Sequence, residues 1–170
     1  AKITGTFGLL SVLLFIIALI AFGLLNPAFS FLDDYISTLG AKGTPNAFWF
    51  NLIGFITVGI LLFIFGVLYG QLLHDKLLSV LLSLFGVGFA FTAFPIDMDA
   101  SDTPVSKAHV AAISLALAFW LFGLARLGYN TNLTKRIRRR ANFTAVILIL
   151  FIIIAALDVW SMPVTHRLVF

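Results

Sequence analysis

Apolar residues run through this chain in long unbroken stretches, with polar residues gathered in the short gaps between them. A helix needs about 20 apolar residues to cross about 30 Å of hydrocarbon. Five stretches meet that length: Ile3–Leu25, Ala47–Gly70, Leu77–Phe94, Lys107–Leu127 and Phe143–Trp160. Phenylalanine-rich runs such as Phe48-Trp49-Phe50 and Leu62-Phe63-Ile64-Phe65 read as helix, because a lone strand in lipid leaves its backbone groups unpaired. Turn chemistry falls in the gaps. Asn26-Pro27 closes the first span, Thr44-Pro45 and Thr103-Pro104 supply a cap followed by a first-turn proline, and Pro95 ends the third span. The apolar run from Ile3 to Leu25 is too long for a cleavable signal peptide, and no small-residue cleavage motif follows it.

One gap has a pattern of its own. From Ser30 to Gly40, Leu32, Tyr35, Ile36 and Leu39 share one helical face, and Asp33, Asp34, Ser37 and Thr38 share the other. Ser30 with Asp33 forms a capping box, and Gly40 suits a helix end. This predicts a short amphipathic helix lying in the interface after the first span. Ser161 can cap a further helix starting near Met162, but Met162–Phe170 reaches only about 13 Å at about 1.5 Å per residue. The fold class expected is therefore all-α. It is a polytopic transmembrane helix bundle in a single domain, residues 1–170, with five full spans and the start of a sixth.

Composition agrees. The chain is 61% hydrophobic and 11% charged, against about a quarter charged in soluble domains, and its mean hydropathy is +1.11. Cysteine is absent, which excludes disulfides and thiolate metal sites, and every acid is an aspartate.

Charge sets an orientation. A cytoplasmic N-terminus puts Lys2, Lys76, Arg126 and the run Lys135, Arg136, Arg138, Arg139 and Arg140 inside, eight of the eleven basic residues. It also puts Asp33, Asp34, Asp97, Asp99, Asp102 and Asp158 outside. The positive-inside rule then predicts an inner-membrane protein with its N-terminus and the 129–141 loop in the cytoplasm. The basic run fixes topology and meets anionic headgroups, so the high pI does not imply a nucleic-acid partner. The sequons at Asn132 and Asn142 fall on that inner face, away from glycosylation.

Candidate chemistry lies at the opposite face. Asp97 and Asp99 alternate like half a calcium loop, but the glycine and distal glutamate of that loop are missing. His109 sits just inside the fourth span, where a titratable group usually faces the bundle interior or a wet cavity. Asp158 lies at comparable depth, and His166 follows on the same side, whereas His74 belongs to the inner end. Ser37, Asp97 and His109 are the candidates for catalysis. His109, His166, Asp97, Asp99 and Asp33 are the candidates for a metal, zinc by ligand type. Such a set can also be a general acid/base pair, a proton or cation path, or a hydrogen-bond network tying helix ends together. No HxxxH or HExxH spacing selects among these roles, and no nucleotide-binding fingerprint is present. Asn46 and Asn51 suit helix capping or bridging, and Gly66 with Gly70 suits close helix packing.

The series Ile36-Ser37-Thr38-Leu39-Gly40, Pro45-Asn46-Ala47, Asn51, Phe94-Pro95-Ile96-Asp97 and His109 resembles a prokaryotic membrane family, domain of unknown function 998. The resemblance covers most of the chain and implies a six-helix membrane protein, without implying an activity. The serine, aspartates and histidine on one membrane face are also similar in kind to alkaline-ceramidase-like membrane hydrolases, although the paired histidines of their last helix are missing. Two functions follow as expectations. One is an outer-face pocket that binds or processes the headgroup of a membrane lipid. The other is a non-catalytic accessory subunit packed against other membrane protein subunits.

Overall fold

The computed structural model describes residues 2–98 and 102–156. All regular structure among them is helical: α1 (Lys2–Leu25), α2 (Ala47–Leu72), α3 (Lys76–Phe91), α4 (Pro104–Tyr129) and α5 (Lys135–Ala156). α1, α2 and α4 are long and apolar enough to cross a bilayer, and their outward faces are almost wholly hydrophobic. α3 has 16 residues, about 24 Å at about 1.5 Å each, and is the shorter apolar helix of the bundle. It stops at Phe91 and a turn covers 92–94, so the third span ends earlier than Pro95 suggests. The proposed sixth helix and its Ser161 cap lie outside the described residues.

Neighbours in sequence are neighbours in space: α1 packs on α2, α2 on α3, α3 on α4 and α4 on α5. The α2–α3 seam is the closest. A Cβ placed on Gly66 or Gly70 would run into the backbone of Ser83 or Ser79, and one on Gly86 into that of Phe63. The missing side chains let the two backbones touch, as the spacing of Gly66 and Gly70 suggests.

Two apolar cores divide the bundle along its length. Phe29, Ile36, Leu39, Phe50, Phe55, Val58 and Phe89 fill the end that carries the aspartate-rich loops. Leu78, Leu82, Leu124, Leu127, Ala141 and Leu148 fill the basic end.

The interfacial helix expected over Ser30–Gly40 is mostly not there. Residues 31–34 form a turn, Tyr35 is extended (φ −68°, ψ 146°), and only Ile36–Gly40 winds, as a 3₁₀ turn. Ser30 does cap, its Oγ accepting from the Asp33 and Leu32 amides, but its own amide donates to Asp34 Oδ2 at 2.7 Å, closing a tight local loop instead of opening a helix. Leu32 consequently points away from the core and is exposed, while Ile36 and Leu39 are buried.

The start of α2 also differs from the Thr44-Pro45 expectation. The helix begins at Ala47 after Asn46 in the left-handed region (φ 61°), and Thr44 Oγ1 donates back to the Thr38 carbonyl at 2.9 Å. Within α2, Asn51–Thr57 is wound as π-helix, and Thr57 Oγ1 donates to the Leu52 carbonyl five residues back at 2.8 Å. That wider winding brings residues five apart onto one face, so Phe50 and Phe55 are both buried with ring centroids 5.1 Å apart.

Candidate functional site

At the aspartate end, short polar side chains stitch loops to helices. Asn51 Nδ2 donates to the Gly40 carbonyl at 2.9 Å, and a Cβ on Gly40 would collide with that same amide. Asn51 bridges two elements, as its position suggests. The Lys42 amide donates to the Ile96 carbonyl at 2.8 Å, and Lys42 Nζ lies 3.6 Å from Asp97 Oδ2. The Asp97 amide donates to Ser106 Oγ at 3.2 Å. Thr103 caps α4 as the Thr-Pro motif predicts: its Oγ1 accepts from the Ser106 amide at 3.1 Å and donates to Ser106 Oγ at 2.8 Å. Ser106 therefore joins the 96–97 loop to the first turn of α4. Sequence reading passed over it, although its place three residues after the Thr103 cap was the available signal.

His109 stands one turn deeper and is 6% exposed. Its Nδ1 lies 3.0 Å from the Phe94 carbonyl oxygen, just past the end of α3. A carbonyl only accepts, so Nδ1 carries the hydrogen, and in the neutral ring Nε2 is the acceptor. The ring also meets Phe55 edge-on, with centroids 6.5 Å apart. Ser37 and His109 are the two polar residues beside a small, partly open void of ≈10 Å³, walled otherwise by Phe15, Ile36, Phe55, Phe89 and Ile113, whose surface is almost entirely apolar. That is room for about one water molecule.

The remaining candidates lie in other surroundings. Asp33 accepts from Ser30 Oγ at 2.6 Å in its own loop, and Asp97 faces Lys42. Among the described residues, no three histidine or aspartate side chains come together in a way that could hold a metal ion. Asp99, Asp158 and His166 lie outside those residues.

A larger space opens beside the void. α1 and α4 flank the α2–α3 pair, leaving an apolar groove of ≈530 Å³ with Ser11, Val12 and Phe15 on one side, Trp120 on the other, and Phe65, Phe85 and Phe89 at its floor. The hydroxyl of Ser11 is turned to the Gly8 carbonyl at 2.8 Å, which keeps the wall nonpolar. Phe15 and Phe89 belong to both spaces. Their rings meet edge-to-face at 5.5 Å and form the partition between the groove and the Ser37–His109 void.

At the basic end, Asp75 caps α3 through the Leu78 amide at 3.1 Å and pairs with Arg126. Arg138 Nε donates to the Gly128 carbonyl at 3.1 Å, so one member of the basic run ties α5 to α4.

A family model described as a protein of unknown function (DUF998) matches residues 9–168. The chain belongs to the DUF998 family. Among the described residues of this DUF998 protein, the match covers α1 from residue 9 onward and the whole of α2, α3, α4 and α5. No curated protein and no solved structure matches the chain. This DUF998 protein is a membrane-embedded helical protein.

Proposed function

We propose that this DUF998 protein binds a membrane lipid, with a hydrocarbon chain in the groove between α1 and α4 and the polar part directed to the aspartate-rich end. The observation that carries this reading is the groove itself. It is apolar, it lies between helices of bilayer-spanning length, and its ≈530 Å³ falls in the ~300–1,000 Å³ range of small-molecule sites. Water has little to bind on such walls, and at that depth the surrounding medium is hydrocarbon. The polar stitching around Lys42, Asp97 and Ser106 supports the reading by holding the mouth of the bundle in one shape.

Native mass spectrometry of protein released from gently chosen detergent tests it. The wild type should retain about one lipid per chain. Val12→Trp, which fills the groove from an exposed position on α1, should lose it. A wild type that carries no lipid, or a variant that carries as much, removes the proposal. A stoichiometric protein partner in place of the lipid would favour an accessory subunit instead.

A further inference from the structure

At the basic end the charges do not cancel. Lys135, Arg136, Arg138, Arg139 and Arg140 crowd the start of α5, whose first turn carries no acid. Among the described residues no carboxylate pairs with any of them, and Asp75 is already taken by Arg126. A helix N-terminus favours an anion, so these cations oppose the helix dipole as well as one another. We propose that the compensating anion is the headgroup of a membrane lipid bearing more than one phosphate, bound at this end and separate from the groove between α1 and α4. Three observations carry it.

The first is a seat. Lys135, Arg136, Arg138 and Arg139 line an open basin of ≈710 Å³ together with Asn142. The end of α4 fixes one side of it. Arg138 Nε donates to the Gly128 carbonyl at 3.1 Å, and a Cβ on Gly128 would run into the Asn142 carboxamide. Arg138 is thereby held in place with its Nη groups left to donate.

The second is charge. Guanidinium forks match phosphate oxygens, and the cations around this basin exceed what the single charge of one phosphodiester neutralises. A headgroup with two phosphates answers more of them.

The third is continuity with hydrocarbon. Arg136, Arg139, Phe143, Val146 and Leu150 recur at three- and four-residue spacings and fall on one stripe of α5. The two arginines are exposed at its start, and the three apolar side chains that follow are each more than half exposed. Phosphates at the arginines therefore place acyl chains along that stripe, which a soluble polyphosphate would leave uncovered.

The full chain in phosphatidylcholine nanodiscs tests this. One set contains diphosphatidylglycerol, with two phosphates per molecule, and the other contains phosphatidylglycerol at the same total phosphate. Lipid retained on the released protein is read by native mass spectrometry. The wild type should keep diphosphatidylglycerol about tenfold over phosphatidylglycerol. Arg136→Gln with Arg139→Gln, at exposed positions away from the Gly128 contact, should remove the preference and be no less stable in lipid-free detergent. Lys42→Gln with Lys107→Gln removes the same charge at the other end and should keep it. Val12→Trp should keep it too, so the groove and this site fail separately. Equal retention of the two lipids by the wild type would show that only bulk charge is read, and the proposal falls. A preference that survives the arginine substitutions, or is lost in Val12→Trp, puts the lipid elsewhere and also overturns it. Inorganic diphosphate at the same concentration should leave the lipid bound. If it displaces the lipid, the ligand is a soluble phosphate compound and the lipid assignment is wrong.

Discussion

Asp75 and Arg126, 51 positions apart in the sequence, meet at 2.8 Å, and the same carboxylate caps α3 through its second oxygen. The α2–α3 turn is thereby locked to the last turn of α4 at the basic end. Asp75 is 7% exposed, whereas the Arg126 side chain is nearly half exposed, so the acid is the member whose loss is felt. Asp75→Ala should cost about 1–2 kcal/mol, the range of a lost N-cap with some contribution from the ion pair. Thermal unfolding in detergent measures it, with Arg126→Ala expected to cost less.

The same pair sets a pH dependence. Burial pushes the Asp75 carboxyl up, but the Leu78 amide and the Arg126 guanidinium outweigh it and hold the group below its usual value. A carboxyl depressed in the folded state contributes stability that is present above its unfolded value of about 3.9 and lost as pH falls through the folded one. The difference in melting temperature between wild type and Asp75→Asn should thus be constant near neutrality and shrink below about pH 4. A difference that grows on acidification would contradict the assignment.

The α2–α3 seam gives a contrast within one residue type. Gly70→Ala places a methyl group against the Ser79 backbone, which cannot yield as a flexible side chain would, and should cost about 1–3 kcal/mol. At Gly5 a Cβ meets nothing within 4 Å, so Gly5→Ala should be neutral or slightly stabilising. Equal effects at the two sites would mean that the helices do not touch where the glycines place them.

The helices were legible in the sequence because lipid leaves the backbone few choices: a long apolar run must satisfy its own amides. Thr103-Pro104 and the Gly66–Gly70 spacing were legible for the same reason, since each acts within one helix or one seam. The 30–40 segment was not. Its alternation suits an amphipathic helix, but the Ser30 amide finds Asp34 and the Gly40 carbonyl finds Asn51, and neither choice is encoded by periodicity. The π-wound stretch escaped notice because its signal is a tertiary one, the joint burial of Phe50 and Phe55. Ser37 and His109 could be singled out as polar residues sharing a membrane face. Phe15 and Phe89, which partition the two cavities, are indistinguishable in sequence from the rest of the 19 phenylalanines.

Gly40 and Asn51 allow a test by coupling. Gly40→Ala drives a methyl into the Asn51 amide, and Asn51→Ala removes the bond to the Gly40 carbonyl, each costing about 1–2 kcal/mol. In the double variant the clash has no partner and the bond is already gone. Its cost should be smaller than the sum of the two by about 1 kcal/mol. Strict additivity would show that the 36–40 turn does not rest on α2.

Orientation in the membrane offers the last test, because the charges argue it independently of any ligand. One end of the bundle carries Lys135, Arg136, Arg138, Arg139 and Arg140 in the first turns of α5, and loops at the other end carry Asp33, Asp34 and Asp97. The structure keeps these groups at opposite ends of the bundle: Arg138 ties to Gly128 beside the Asp75–Arg126 pair, while Lys42 faces Asp97. Reversing the protein would carry the basic run across the bilayer, at about 2.5–3.5 kcal/mol per charged residue on insertion scales. We therefore expect the basic end to face the cytoplasm. The chain has no cysteine, so single cysteines at Lys42, Asp102 or Arg138 report cleanly to an impermeant thiol reagent in intact cells. Positions 42 and 102 should label and 138 should not until the membrane is opened. Labelling of 138 alone would invert the assignment.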